Sequence, residues 1–231
     1  LYLSEIAIPD SVKTIGTYAF YHNWNLKKVS LPSALESMDT YCFAECNALE
    51  EVILPDTLDT IPGEAFSGCA NLKSIVIPDG VQFIDGSAFR DCYALEEVTL
   101  GMGLARIANG VFYNCPRLRE ITIPENVTSI DSGAFSYCNE LKSITFLGNA
   151  PFIGDNCFAG DTTYAFYPTG DSTWTSWVMD NYGGNITWNT ICDPHTPKDA
   201  VIENKKDATC AEDGYKETVI YCSSCGLELS R

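Results

Sequence analysis

Cysteine and histidine are the residues of this chain whose type and spacing bear most directly on chemistry, and the cysteines fall into two sets. Near the C-terminal end, Cys222-Ser223-Ser224-Cys225-Gly226 has the Cys-x-x-Cys form. Such a turn offers two thiolates to one zinc ion, which takes four soft or borderline ligands in a tetrahedron. Gly226 can adopt the positive φ that the turn uses. Cys210 supplies a third ligand and His195 or Cys192 the fourth, so the candidate structural zinc set is His195, Cys210, Cys222 and Cys225. The spacings match no standard finger. One or two disulfides are the alternative in an exported protein, and free thiols are a third. A module of about 40 residues needs some staple to fold.

The second set, Cys46, Cys69, Cys92, Cys115 and Cys138, recurs every 23 residues. Stacked one unit apart, these side chains lie within disulfide distance, but equivalent side chains point the same way and five cannot pair completely. A free cysteine packs as a small buried hydrophobe, so the ladder is expected in the core, as are Cys42 and Cys157. Catalysis finds little support. His22 and His195 are the two histidines, and neither belongs to a recognisable Ser–His or Cys–His arrangement. His22 reads as an exposed turn residue, and no Gly-rich phosphate loop follows a strand.

The elements that position these residues are set by the same period. One column reads Ile6, Val29, Val52, Ile75, Val98, Ile121 and Ile144, and another reads Phe20, Phe43, Phe66, Phe89, Phe112, Phe135 and Phe158. A period of this length marks a solenoid. Alternating apolar residues in Leu72-Lys73-Ser74-Ile75-Val76-Ile77 predict a short strand with one buried face. Pro78 follows and cannot donate to a ladder. Equivalent prolines stand at 9, 32, 55 and 124, whereas Gly101 and Leu147 depart from the pattern. The return limb, for example Val81 to Cys92, predicts a short helical or irregular turn. Stacked units then share one core that no unit could form alone.

The pattern Leu-x-x-Ile-x-Ile-Pro-x-x-Val-x-x-Ile-x-x-x-Ala-Phe-x-x-Cys, closely followed by Leu118 to Cys138, resembles the BspA-type leucine-rich repeats. The resemblance implies an α/β repeat solenoid, right-handed, with a parallel sheet on one face. It also implies a secreted or wall-attached bacterial protein, often an adhesin. Asn23 replaces the cysteine in copy one, and Asp161 and Tyr164 replace Cys and Leu in copy seven. The tail around Cys210 and Tyr221-Cys222-Ser223-Ser224-Cys225-Gly226 resembles small Cys-rich modules that trail such proteins in gut Firmicutes. In those modules an upstream His commonly accompanies the three cysteines. Three regions are expected: the solenoid over 1–167, an aromatic cap over 168–191 containing Trp174, Trp177, Tyr182 and Trp188, and a Cys-rich module over 192–231. The aromatic cluster reads as the cover of the open core end in preference to a carbohydrate platform.

The formal charge of −17 and sequence pI near 4.3 argue against nucleic acid or anionic membrane partners, which call for clustered Lys and Arg. No apolar run is long enough to span a bilayer. Leu3 shares a column with Leu26, so the chain is expected to begin inside a repeat, with further repeats or an export signal upstream. Binding is expected on the outer side of the strands, where alternation places Lys28, Glu51, Ser74, Glu97 and Glu120 in one file and Ser30, Ile53, Val76, Thr99 and Thr122 in the next. Acidic residues after the strands, Asp10, Asp56, Asp79 and Glu125, form a rim that favours a basic partner or cations. The function expected is a non-enzymatic extracellular adhesion module that engages a protein and needs no cofactor in its repeats. The alternative is a glycan-binding or substrate-capturing accessory region of a larger secreted protein.

Overall fold

The computed structural model describes residues 3–191 and, beyond them, the backbone of three tail strands. Two ladders of parallel strands run along the solenoid. The wide ladder holds β1 (Glu5–Ala7), β3 (Lys28–Ser30), β5 (Glu51–Val52), β7 (Ser74–Val76), β9 (Glu97–Thr99), β11 (Glu120–Ile123), β13 (Ser143–Phe146), β15 (Thr162–Pro168) and β16 (Asn185–Ile191). The narrow ladder holds two-residue strands: β2 (Thr14–Ile15), β4 (Ser37–Met38), β6 (Thr60–Ile61), β8 (Phe83–Ile84), β10 (Arg106–Ile107), β12 (Ser129–Ile130) and β14 (Phe152–Ile153). Partners such as Ile6 and Val29, or Ile61 and Ile84, are equivalent residues of neighbouring copies. The sequence period is therefore the pairing register.

The architecture is a parallel β-solenoid, and the expected α/β label is corrected: no helix occurs among the described residues. The reason lies in where the return-limb amides go. Phe43 donates to the Ala65 carbonyl, Phe66 to Ala88 and Phe89 to Val111, each at 2.9 Å. These bonds join neighbouring coils, and the amides between them donate to the third residue back, as Ala44 does to Tyr41 and Ser67 to Glu64, in place of the bond to the fourth residue back that defines an α-helix. Each limb also holds residues at positive φ, such as Tyr41 (59°) and Glu45 (58°), which a right-handed helix excludes.

The core is one continuous cluster of inward columns. The phenylalanines from Phe43 to Phe158 are fully buried. Successive rings stack face to face at 4.9 to 5.8 Å, with planes within 15° of parallel. The spacing follows from coils that rise by about one strand separation, roughly 4.8 Å. The cysteine ladder lies beside this stack, buried and free of disulfides. Each thiol donates to a phenylalanine carbonyl of the preceding coil, as Cys92 does to Phe66 and Cys115 to Phe89, at 3.3 and 3.2 Å.

Beyond the seventh copy the step shortens, because Ile144 pairs with Ala165. It then returns to the regular value, with Thr162 opposite Asn185. Residues 168–191 keep no period in residue type, yet they make another coil whose strand β16 pairs with β15 along its whole length. Trp174 packs on Phe146 at 4.8 Å and on Tyr167 at 5.3 Å, and its indole N–H donates to the Gly148 carbonyl. Trp188 lies 5.7 Å from Trp174 and 6.0 Å from Phe146, so the two indoles pack together over Phe146. Trp177 projects into solvent. In the tail, β17 (Val201–Lys206), β18 (Tyr215–Tyr221) and β19 (Glu228–Ser230) form a separate antiparallel sheet in that order.

Candidate binding face

The outward side of the wide ladder is built by alternation. In β3, β7 and β11 the middle residues Val29, Ile75 and Ile121 turn inward, and their neighbours turn out. All ten residues expected on this face are exposed: Lys28, Ser30, Glu51, Ile53, Ser74, Val76, Glu97, Thr99, Glu120 and Thr122. Lys28 pairs in register with Glu5 on one side and Glu51 on the other, which alternates charge along the first three strands. Further along, Ser74 faces Glu97, Val76 faces Thr99 and Glu120 faces Ser143. The file loses its positive charge after Lys28.

Two shallow grooves open on this face. One, of about 480 Å³, gathers Lys28, Ser30, Glu51 and Ile53, and is closed by Ser33 and Asp56 from the loops after the strands. The other, of about 280 Å³, gathers Thr99, Glu120 and Thr122 with Met102 and Leu147. Ser74, Val76 and Glu97 line neither groove and lie on the ridge between them. Ile53 is 75% exposed and Val76 61%, so two large aliphatic side chains stand in water at equivalent positions of successive copies, Ile53 directly after β5 and Val76 at the end of β7. Isolated exposed apolar residues are ordinary, whereas contiguous apolar patches mark interaction surfaces.

Met102 and Leu147 belong to this face and escaped the reading of the strands alone. Their signal was the break in the proline column, where Gly101 and Leu147 stand. At Gly101 a Cβ would come within 2.3 Å of the Pro78 carbonyl oxygen, so only glycine fits. The loop there packs close to the one before it, and Met102 is left 44% exposed.

The described cysteines are poor nucleophiles and poor metal ligands. Burial pushes the thiol of Cys46 up to about 11 and those of Cys42 and Cys115 up to about 12. Among the described residues, no group of three His, Cys, Asp or Glu side chains could hold a metal ion. His195, Cys210, Cys222 and Cys225, together with Cys192, lie outside the described residues. No helix among the described residues is long and apolar enough to cross a membrane.

Comparison with known proteins places this geometry. The BspA type leucine rich repeat region matches residues 1–96 and 59–167, in six copies. The chain belongs to the BspA-type leucine-rich-repeat family. Among solved structures, a leucine-rich repeat protein from Bacteroides ovatus is 26% identical with a TM-score of 0.56, over 80% of this chain and 60% of that one. The Treponema pallidum leucine rich repeat protein is 25% identical with a TM-score of 0.53, over 61% of this chain and 78% of that one. A leucine-rich repeat protein from Eubacterium ventriosum is 28% identical with a TM-score of 0.50, over 58% of this chain and 42% of that one. This chain thus spans about 60% of the length of the Bacteroides protein. No curated protein matches it. Leucine-rich-repeat proteins are typically non-enzymatic binding modules whose repeats generally mediate protein–protein interaction, and no catalytic family is indicated.

Proposed function

We propose that this BspA-type solenoid is an extracellular adhesion module of a bacterial surface protein, secreted or attached to the wall, which grips a protein partner on the outward face of its wide sheet. The observation that carries this reading is the pair Ile53 and Val76, exposed side by side and bordered by Glu51 and Glu97. Aliphatic anchors within a polar rim are the usual centre of a protein interface. The excess of carboxylates along the file after Lys28 favours a partner with basic residues around an apolar anchor.

The test is capture by the immobilised protein from extracts of surface proteins, set beside capture by a variant carrying Ile53→Asp and Val76→Asp. The variant should lose the captured species and keep the melting temperature of the parent, because both side chains already stand in water. A fall in melting temperature equal to the loss of capture would make the pair structural and overturn the assignment.

A further inference from the structure

The return limbs carry a second concave surface, remote from the sheet-face residues in sequence register and unlike them in chemistry. It is a trough of about 580 Å³ crossing several coils. Its floor follows one turn position of successive coils, Ser87, Gly110, Gly133 and Asn156. The same position holds Tyr18, Tyr41 and Glu64 in the earlier coils, outside the trough, and all seven residues have φ between 55° and 68°. Those three carry long side chains. At Gly110 and Gly133 there is no side chain, and the surface sinks.

The fold does not require those two glycines. A Cβ at Gly110 would meet nothing closer than 3.4 Å, and one at Gly133 nothing closer than 3.5 Å. Equivalent coils hold Tyr, Glu, Ser and Asn at the same φ, so the backbone tolerates a side chain there. Glycine relieves a modest conformational strain, but five coils do without that relief. What the two glycines create is open space.

The walls of that space are chemically matched to one class of ligand. On one side, Tyr113 and Tyr137 meet edge to face at 5.3 Å, and the Arg90 guanidinium lies 4.9 Å over the Tyr113 ring. Arg90 is held there by Asp91, at 3.2 Å. The Tyr137 ring, 46% exposed, leans across Gly160. On the other side stand Asn109 and Asp155, both exposed. A tyrosine ring packs against the C–H face of a sugar, while planar amide and carboxylate groups bond neighbouring hydroxyls. A peptide would find less: floor amides of Ser87, Gly110 and Gly133 are already bonded to the carbonyls of Asn109, Ser132 and Asp155, leaving none for strand pairing.

We infer that the trough between Tyr137 and Asp155, floored by Gly110 and Gly133, binds a neutral oligosaccharide. This site is independent of the sheet face. The protein takes a short saccharide along its return limbs while Ile53 and Val76 remain free for another partner.

The probes are cellotriose, maltotriose, mannotriose and chitotriose, each titrated into the isotopically labelled chain and followed by backbone amide resonances. At least one should shift the Gly110, Gly133 and Tyr137 signals saturably. Gly133→Tyr, which copies the side chain found at Tyr18 and Tyr41, should abolish the shifts. Tyr137→Ala should weaken binding roughly tenfold, the loss expected for one stacking contact. The Ile53→Asp and Val76→Asp variant should bind as the parent does. If none of the four sugars moves those amides, if the shifts survive both Gly133→Tyr and Tyr137→Ala, or if only the sheet variant loses them, the assignment is overturned.

Discussion

The Cys138 thiol donates to the Phe112 carbonyl at 3.2 Å, and one repeat further on the same column holds Asp161. The carboxylate is 2% exposed and neither oxygen has a hydrogen-bond partner among the described residues. Thr163, close by in the chain, is equally buried and equally without a partner for its hydroxyl. The solenoid therefore ends its thiol ladder on a carboxyl group placed where charge is poorly tolerated.

Burial pushes the Asp161 carboxyl up to about 8, against about 3.9 in an unfolded chain. The native protein keeps a proton that the unfolded chain releases. Stability should fall as pH rises from about 4 to about 8, then level off once both states are ionised. Asp161→Cys, which restores the ladder, should remove this contribution and raise the melting temperature most at pH 8. Melting curves of both proteins across this range check it; a parent that gains stability relative to the variant on going from pH 5 to pH 8 would refute it.

The thiols of the ladder should be silent. Burial is the main cause that raises Cys69, Cys92 and Cys138 well above the ordinary thiol value, and only the thiolate reacts. In peptide mapping after treatment with an alkylating reagent at pH 8, these cysteines should stay unmodified until denaturant unfolds the chain. Cys92→Ser should cost about 0.5–3 kcal/mol through packing alone. Rapid labelling of Cys92 in the native protein would contradict the ladder.

Phe89 lies between Phe66 and Phe112, 5.4 and 5.6 Å from their centroids. Truncation leaves a cavity that rigid stacked coils cannot close, so Phe89→Ala should cost about 3–5 kcal/mol. Phe20 is only partly buried against the core, and Phe20→Ala should cost less. Chemical denaturation of the two variants provides the comparison, and a loss below about 1 kcal/mol at Phe89 would remove it from the core.

For the tail, the Cys3His set His195, Cys210, Cys222 and Cys225 is proposed to hold structural zinc. Metal analysis of protein purified without chelator should find about one zinc per chain, bound above mildly acidic pH because the thiols must first lose their protons. Chelation should leave the unfolding of the solenoid unchanged, since the repeats have their own core. Cys222→Ser should act as chelation does. Paired, oxidised tail cysteines without metal would assign a disulfide staple in its place.

Which residues of the solenoid turn inward was legible in the sequence, because stacking coils of one length brings equivalent positions into line. Val29 over Val52, Phe66 over Phe89 and Cys92 over Cys115 follow from the period and from the cost of leaving apolar surface in water. The exposure of Lys28, Ile53, Val76 and Thr122 follows from alternation. The period says nothing of where the return-limb amides donate, so β6 and β8 formed where a turn or helix was expected. Residue type hid the coil that carries β16, because its core is made by indoles instead of the repeated aliphatic residues. The trough beside Tyr137 is more distant still from a linear reading. Gly110, Gly133 and Asp155 are ordinary turn residues one by one, and they become a single surface only when neighbouring coils stack. The same stacking seals Asp161 away from water. Local pattern decides which way a side chain turns, but contact between coils decides what it meets there.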